Sequence, residues 1–279
     1  MIFSMGINCA LVAAVSSAAF ASPFATSVLS YDAGSNAAAG YTNANTALGS
    51  AERFTGEASF GGLFAAGVTP FNPAFENNEL VSIGIGGQLS LGFDTAITNS
   101  ASNAFGVDLI IFSNAGFLDT TYTDDDPENN GTGFTGANPA FFGAGGAATV
   151  QVSVDGTTWI TATTITLDLF PTLGYSDYTQ AGSTTPGLVE SDFTKALDPT
   201  LTAADMANMS FQDLVNFYDG SGGGIGIDIA STGLASANFV RFLNNSGDAF
   251  EIDAVAVVPT PGTMFIASIA TLIMTRRRR

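Results

Sequence analysis

The chain has 279 residues, with 25 acidic and 7 basic side chains, no histidine and one cysteine, and its formal net charge is −18. The lack of histidine excludes a Ser-His-Asp triad and a histidine-bound transition metal, and a single cysteine excludes a disulfide framework. Such an acidic surface repels nucleic acid and anionic lipid and attracts divalent cations, although a need for solubility also accounts for the charge.

Residues 1–21 have the features of a secretory signal peptide. A modest apolar region covers residues 7–15, and the small residues after it end in Ala19-Phe20-Ala21, which predicts cleavage before Ser22. The segment departs from the usual pattern because no lysine or arginine precedes the apolar region. Its removal leaves a mature chain without cysteine, and we expect that chain to be exported.

Residues 22–258 are predicted to form one all-β domain, because short runs rich in β-branched and aromatic residues recur between turn signals. The runs 80–85 and 88–93 are separated by two glycines and predict a hairpin. The continuous apolar run at 108–112 is typical of a strand that is covered on both faces.

Residues 149–154 alternate between polar and apolar side chains, and Asp155-Gly156 then predicts a tight hairpin turn. Trp159 follows this turn at an alternating position, which favours packing in the core. A last pair of strands is predicted at 238–242 and 252–257, joined by an acidic loop.

Helix is predicted at only one place. Thr202 with Asp205, and Ser210 with Asp213, fit the capping box with an acid at the third helical position, and apolar residues follow at helical spacing. A glycine cluster from Gly220 ends the pattern. The sequence therefore predicts a β-sandwich with one or two short inserted helices.

Two groups of oxygen-bearing side chains are candidate calcium ligands, because calcium takes six to eight oxygen ligands in a flexible geometry. The first group is the acidic loop 124–131, which lacks the EF-hand spacing and is explained more simply as a solvated loop. The second group lies at the ends or edges of predicted strands and consists of Asp108, Asn114, Asp248, Glu251 and Asp253. A structural role, such as capping a loop or pairing with Arg241, explains this second group equally well.

The C-terminal segment combines three features of a targeting signal. A proline motif contains Pro259, Pro261 and Gly262, an uncharged apolar run covers 263–275, and the chain ends in Arg276, Arg277, Arg278 and Arg279. A helix of the thirteen apolar residues is about 20 Å long at ~1.5 Å per residue, which is short for a hydrocarbon core of ~30 Å. This length favours a transient signal over a permanent anchor, and the terminal arginines argue against a buried core helix.

This arrangement resembles the PEP-CTERM sorting signal of Gram-negative and planctomycete bacteria. The resemblance covers residues 258–279, and Thr260 stands where that family most often has glutamate. It implies that a membrane-embedded exosortase recognises the tail while the chain is held in the inner membrane. The mature protein is then expected at the cell surface or outside the cell.

Residues 45–258 resemble a group of bacterial surface ectodomains that commonly carry this tail and are similar to discoidin-like, galactose-binding-like jelly rolls. The matching segments include 52–56, 70–75, 106–112, 152–156 and 251–255. The resemblance implies a jelly-roll-like sandwich without an established catalytic activity. It also suggests Glu251 and Asp253 as ligands of a structural calcium ion.

These patterns predict an exported, non-catalytic surface or matrix protein. The resemblance to the sorting signal implies an association with the envelope or biofilm and suggests exopolysaccharide as a partner. Two alternatives make different structural predictions. A carbohydrate-binding module requires an exposed aromatic platform flanked by Asn, Asp or Gln. A polysaccharide-active enzyme requires two carboxylates that converge in a deep cleft, with a raised pKa on one of them.

Overall fold

The computed structural model describes residues 21–122, 131–142, 146–166, 170–245 and 247–260. Three predictions lie outside these ranges: the leader up to residue 20, the acidic loop from residue 124 to residue 130, and the tail from Pro261 onward. Within the described ranges, no helix has both the length and the apolar character needed to cross a membrane.

The described residues form fourteen β-strands, one α-helix and five short 3-10 helices. The strands are β1 (Ser27–Asp32), β2 (Phe54–Thr55), β3 (Ala66–Gly67), β4 (Val81–Ile83), β5 (Gln88–Thr98), β6 (Leu109–Phe112), β7 (Gly116–Phe117), β8 (Phe141–Phe142), β9 (Ala147–Ser153), β10 (Ile160–Thr166), β11 (Ile225–Ile227), β12 (Ser236–Asn244), β13 (Phe250–Ile252) and β14 (Ala254–Val257). The helices are α1 (Phe211–Tyr218) and the 3-10 turns Ala44–Ala47, Ser59–Gly61, Ala104–Gly106, Ala203–Met206 and Ala230–Thr232.

One layer of the fold is a five-stranded antiparallel sheet in the order β1-β5-β12-β9-β10. Successive side chains of a strand point to opposite faces, so every second residue faces the core. The fully buried members of this inner face include Leu89, Leu91, Val150, Val152, Val240 and Phe242. Each of them stabilises the fold by about 1.5–3 kcal/mol relative to an exposed position.

The opposite layer consists of a three-stranded sheet, β11-β6-β14, and the strand pair β13-β4. Leu109 and Ile111 of β6 pack in the same core cluster as the large sheet, together with Val255 of β14. Two layers of strands therefore face each other across one core. This confirms the all-β prediction and a sandwich-like arrangement.

Strand β6 is covered on both faces, as its continuous apolar run predicts. Leu109 and Ile111 face the central core, whereas Ile110 and Phe112 belong to a second cluster on the outer side of the small sheet. There the Phe112 ring meets the Phe193 ring edge-on at a centroid distance of 5.0 Å.

The predicted hairpin of residues 80–85 and 88–93 is wrong, because the two strands lie in opposite layers. Val81–Ile83 pairs with Phe250–Ile252, while Gln88–Thr98 pairs with β1 and β12. The chain crosses between the layers at Gly84, Gly86 and Gly87. A Cβ at position 84 would collide with the Ser35 backbone, so the chain can pass this close to Ser35 because residue 84 is glycine.

The hairpin of β9 and β10 is confirmed, although its loop is longer than a two-residue turn. Ile160 pairs with Val152, and six residues connect the strands. The Asp155 carboxylate accepts hydrogen bonds from the amides of Thr157 and Thr158, which stabilises the loop and lowers the pKa of Asp155. The last predicted pair is wrong, because β12 belongs to the large sheet while β13 and β14 pair with β4 and β6.

Helix α1 begins and ends where the sequence predicts. Ser210 Oγ accepts a hydrogen bond from the amide of Asp213, whose carboxylate accepts one from the amide of Ser210, and this completes the capping box. Asp219 then takes a left-handed conformation that ends the helix before Gly220. The second capping box, at Thr202, begins a 3-10 turn rather than an α-helix.

Replacing Ser210 with alanine is expected to lower the free energy of unfolding by about 1 kcal/mol, because the substitution removes the acceptor for the N3 amide. Urea denaturation monitored by circular dichroism measures this change. Gln212→Ala is the control, since Gln212 is exposed on the same helix and alanine is a good helix former. Equal stability of the two variants would contradict the capping role.

The two ends of the described chain lie side by side. Phe24 forms a bridge with Ala256, and the Val257 amide donates a hydrogen bond to the Pro23 carbonyl at 2.7 Å. The residues that follow the predicted leader cleavage therefore run alongside the strand that leads into the proline motif.

Candidate functional site

Asp108, a predicted calcium ligand, is fully buried and already has three hydrogen-bond donors. Its Oδ1 accepts from the Ser100 amide and from Asn103 Nδ2, both at 3.0 Å, and its Oδ2 accepts from the Ile229 amide at 3.1 Å. These bonds tie the loop before β6 to the segment that follows β11. Asn114 is half-buried beyond the other end of β6.

Asp253 lies far from Asp108 along the three-stranded sheet, and Glu251 belongs to the separate strand pair β13-β4. Because Ala254 pairs with Phe112 and Val257 pairs with Leu109, Asp253 and Asp108 lie at opposite ends of the β6–β14 pair. Glu251 Oε1 accepts from Ser82 Oγ at 2.7 Å.

The structure does not bring the five candidate calcium ligands of the second group together, because Asp108 and Asp253 lie at opposite ends of the β6–β14 pair. No three of the acidic side chains in the described ranges are arranged to hold a metal ion. Calcium binding remains a prediction.

Asp253 instead belongs to a group of carboxylates, here called the acid cluster, with the half-buried Glu52 and the buried Glu79. Both Asp253 oxygens accept from the Glu52 amide, at 3.1 and 3.3 Å. Burial and repulsion from Glu52 and Glu79 raise the pKa of Asp253 well above its usual range. Burial, Glu79 and Glu57 raise the pKa of Glu52 to about 7.

Hydrogen bonds offset the burial of the Glu79 carboxylate better than they do for the other members of the acid cluster. Its Oε2 accepts from Thr55 Oγ1 at 2.6 Å and from the amides of Phe75 and Glu76. These bonds favour the ionised form, but burial still raises the pKa of Glu79. The acid cluster therefore holds its protons up to a higher pH than isolated carboxyl groups do.

A cavity of about 580 Å³ opens beside the acid cluster. It is lined by Phe24, Ser50, Ala51, Glu52, Arg53, Phe54, Glu57 and Glu190. The Arg53 guanidinium lies 3.4 Å from the Glu190 carboxylate and 4.0 Å from the Phe193 ring centroid. Its Nη1 donates to the carbonyls of Gly174 and Ser191, so these contacts hold Arg53 as a structural brace.

A second depression, the aromatic groove, has a volume of about 590 Å³ and lies between the β7–β8 pair and two loops. Its lining includes Leu63, Phe64, Phe71, Asn72, Phe117, Leu118, Asp119, Tyr122, Phe142 and Thr184. Phe64 is 59% exposed and Tyr122 is 56% exposed.

Aromatic rings pack against one another at the floor of the aromatic groove. The ring of Phe117 stacks on that of Phe141 at 4.7 Å and meets that of Phe71 at 6.0 Å. At the rim, Asn72 Nδ2 donates to the Gly67 carbonyl, and the Asp119 carboxylate accepts from the amides of Gly133 and Phe134. Oriented polar groups thus flank exposed aromatic rings.

Trp159, which the sequence predicts to pack in the core, is half-buried and lies on the outer side of the large sheet. The guanidinium carbon of Arg241 is 4.4 Å from the Trp159 ring centroid. Trp159 and Thr161 are two residues apart, so they share the face opposite the core-packed Ala162. The expected core position is therefore wrong.

Sequence patterns did not reveal the acid cluster or the aromatic groove. Glu52 and Asp253 are 201 residues apart, and no local pattern predicts that they meet. One local signal of the groove was available, because Phe60, Leu63 and Phe64 crowd a glycine-rich segment that predicts a loop. The chain matches none of the protein-family profiles compared with it, and no characterised protein shows significant sequence similarity to it.

Proposed function

We propose that this chain is an exported, non-catalytic surface or matrix protein with a jelly-roll-like ectodomain that holds carbohydrate in its aromatic groove. The tail supports export, because Pro259, Pro261, Gly262 and the four terminal arginines resemble a PEP-CTERM signal read by an exosortase. The neighbouring ends of the described chain are compatible with a single attachment point during transit through the inner membrane.

The aromatic groove is the observation that carries the binding part of the proposal. Exposed phenyl and phenol rings offer apolar faces that pack against the C–H faces of sugars, while polar groups beside them fix orientation. Phe64 and Tyr122 line the same groove as Asn72 and Asp119, which supports the carbohydrate-binding alternative. An extracellular polysaccharide is therefore the proposed partner.

Replacing Phe64 or Tyr122 with alanine is expected to weaken glycan binding about tenfold, which corresponds to ~1.4 kcal/mol for one stacked ring. Calorimetric titration of the purified protein with a panel of neutral glycans measures the affinity. Phe105→Ala is the matched control, because Phe105 is 57% exposed and does not line the groove. An equal loss in the control, or no heat with any neutral glycan, would argue against the groove as the binding site.

Hydrolysis at the cavity beside the acid cluster is the catalytic alternative. Glu52, with a pKa of about 7, has the property of a general acid, and Glu57 and Glu190 line the same cavity. The non-catalytic proposal is preferred because the raised pKa of Glu52 is explained by burial and by the neighbouring carboxylates. Polysaccharide turnover by the wild type that is lost in Glu52→Gln would overturn this preference.

Cell fractionation tests the export part of the proposal. The expected result is a processed chain at the cell surface or in the medium. Recovery of the full-length chain from the cytosol, with leader and tail intact, would contradict export and the surface role together.

A further inference from the structure

A continuous polar row crosses the outer face of the five-stranded sheet. Register places one residue from each strand side by side, in the order Ser30, Ser90, Arg241, Gln151 and Thr161. Ser30 Oγ donates to Ser90 Oγ at 3.1 Å, and Gln151 Nε2 donates to Thr161 Oγ1 at 3.0 Å. The row carries hydroxyl and amide groups and a single charge, that of Arg241.

Arg241 is held in place from two sides. Its Nε and Nη2 both donate to Gln151 Oε1, at 2.9 and 2.5 Å, and its guanidinium lies against the Trp159 ring. The remaining guanidinium nitrogen, Nη1, has no hydrogen-bond partner among the residues that the structure describes. An arginine oriented in this way loses little side-chain entropy when it binds a ligand.

No carboxylate among the described residues neutralises the charge of Arg241. Arg53 pairs with Glu190 and Lys195 pairs with Asp219, whereas no carboxylate in the described part of the chain pairs with Arg241. Burial alone lowers the pKa of Arg241, and no acidic neighbour opposes that effect. In a protein with 25 acidic side chains, an oriented and unpaired arginine indicates an anionic ligand.

We propose that the outer face of the large sheet binds an acidic polysaccharide, with a uronate carboxylate on Arg241 and sugar hydroxyls on Thr161 and Gln151. The exposed part of Trp159 supplies an apolar contact for the sugar ring. This site lies on a different surface from the aromatic groove. The acidic polysaccharide is proposed as the ligand of this sheet face only.

The net charge of the protein opposes the approach of a polyanion, so the contact with Arg241 must outweigh a long-range repulsion. At an ionic strength of about 0.15 M the Debye length is about 8 Å, and charges beyond that distance are largely screened. Asp32 lies two residues from Ser30 along β1, Asp94 lies four residues from Ser90 along β5, and Asp155 lies in the loop between β9 and β10. A short-range, charge-assisted contact is therefore favoured at physiological salt and weakened by repulsion at low salt.

The test measures binding of polygalacturonate to the purified full-length protein by calorimetry, at about 0.15 M ionic strength with a chelator to exclude bridging calcium. Dextran serves as the neutral polymer. Polygalacturonate is expected to bind and dextran to bind at least about tenfold more weakly. Arg241→Gln is expected to lose about tenfold in affinity for polygalacturonate, and Arg241→Lys to retain part of it.

Lys195→Gln is the control for the loss of one positive charge, because Lys195 is exposed and lies outside the row. Thermal unfolding of each variant confirms that the sheet is intact. Equal affinity of wild type and Arg241→Gln, equal affinity for dextran, or no binding of polygalacturonate would each overturn the proposal. Loss of neutral-glycan binding in the groove variants with an unchanged Arg241 effect would separate this site from the groove.

Discussion

Replacing Asp253 with asparagine is expected to stabilise the protein by more than about 1 kcal/mol at pH 8, since one unit of pKa shift corresponds to about 1.4 kcal/mol, and to leave its stability nearly unchanged at pH 4. Asp253 is buried, and burial with two neighbouring carboxylates raises its pKa well above the ordinary range. Asparagine keeps an oxygen that can accept from the Glu52 amide, and it removes the ionisable group.

The sign of the pH dependence follows from proton binding. A carboxyl group with a raised pKa binds its proton more tightly in the native state than in the unfolded state, so the native state gains stability below the unfolded pKa. That stability is lost as the pH rises towards the native pKa. For Glu52 the loss runs from about pH 4.5 to about pH 7, and solvent screening limits it to about 1 kcal/mol. Asp253 extends the loss to higher pH.

Urea denaturation at pH 4 and pH 8 measures the effect, and Asp94→Asn serves as an exposed control. Wild type should lose stability between the two values, and Asp253→Asn should lose much less. A variant that is less stable than wild type at pH 8 would show that the ionised Asp253 has a favourable partner. If that deficit disappeared when wild type and variant were both treated with chelator, the result would support the predicted calcium ligand.

Replacing Arg53 with alanine is expected to lower the free energy of unfolding by about 3 kcal/mol. The substitution removes two charge-assisted hydrogen bonds, to the carbonyls of Gly174 and Ser191, and the contact with the Phe193 ring. Because the Arg53 side chain is mostly buried, water replaces these interactions poorly.

The second ion pair is the matched control for Arg53. Lys195 Nζ lies 2.8 Å from an Asp219 oxygen, but both side chains are well exposed. Lys195→Ala should therefore cost no more than about 1 kcal/mol. Urea denaturation at neutral pH compares the two variants. A similarly small decrease in the free energy of unfolding for both variants would show that Arg53 does not brace the loops around the cavity.

Local sequence rules predicted the elements whose signals lie within a few residues. The alternation at 149–154 predicted β9, the apolar run at 108–112 predicted a doubly covered strand, and the Ser210 capping box predicted α1. Each of these signals depends on neighbours in sequence, which decide periodicity, burial and capping.

Pairing between distant segments was not predictable in the same way. Strand β4 pairs with β13, and Ser82 and Glu251 in this pair are 169 residues apart. Two adjacent apolar runs separated by glycines fit a hairpin as well as a crossing between layers, since both bury the same side chains. The acid cluster was missed for the same reason, because only the fold brings Glu52 close to Asp253.

The adjacency of Phe24 and Ala256 means that the order of segments along the chain is not fixed by the packing of the layers. A short linker between the two ends, with new ends opened in an exposed loop such as the one at Gly182, gives a circular permutant with the same strand neighbours. The strands of such a permutant keep their pairing partners, while the tail joins the folded domain at another part of its surface.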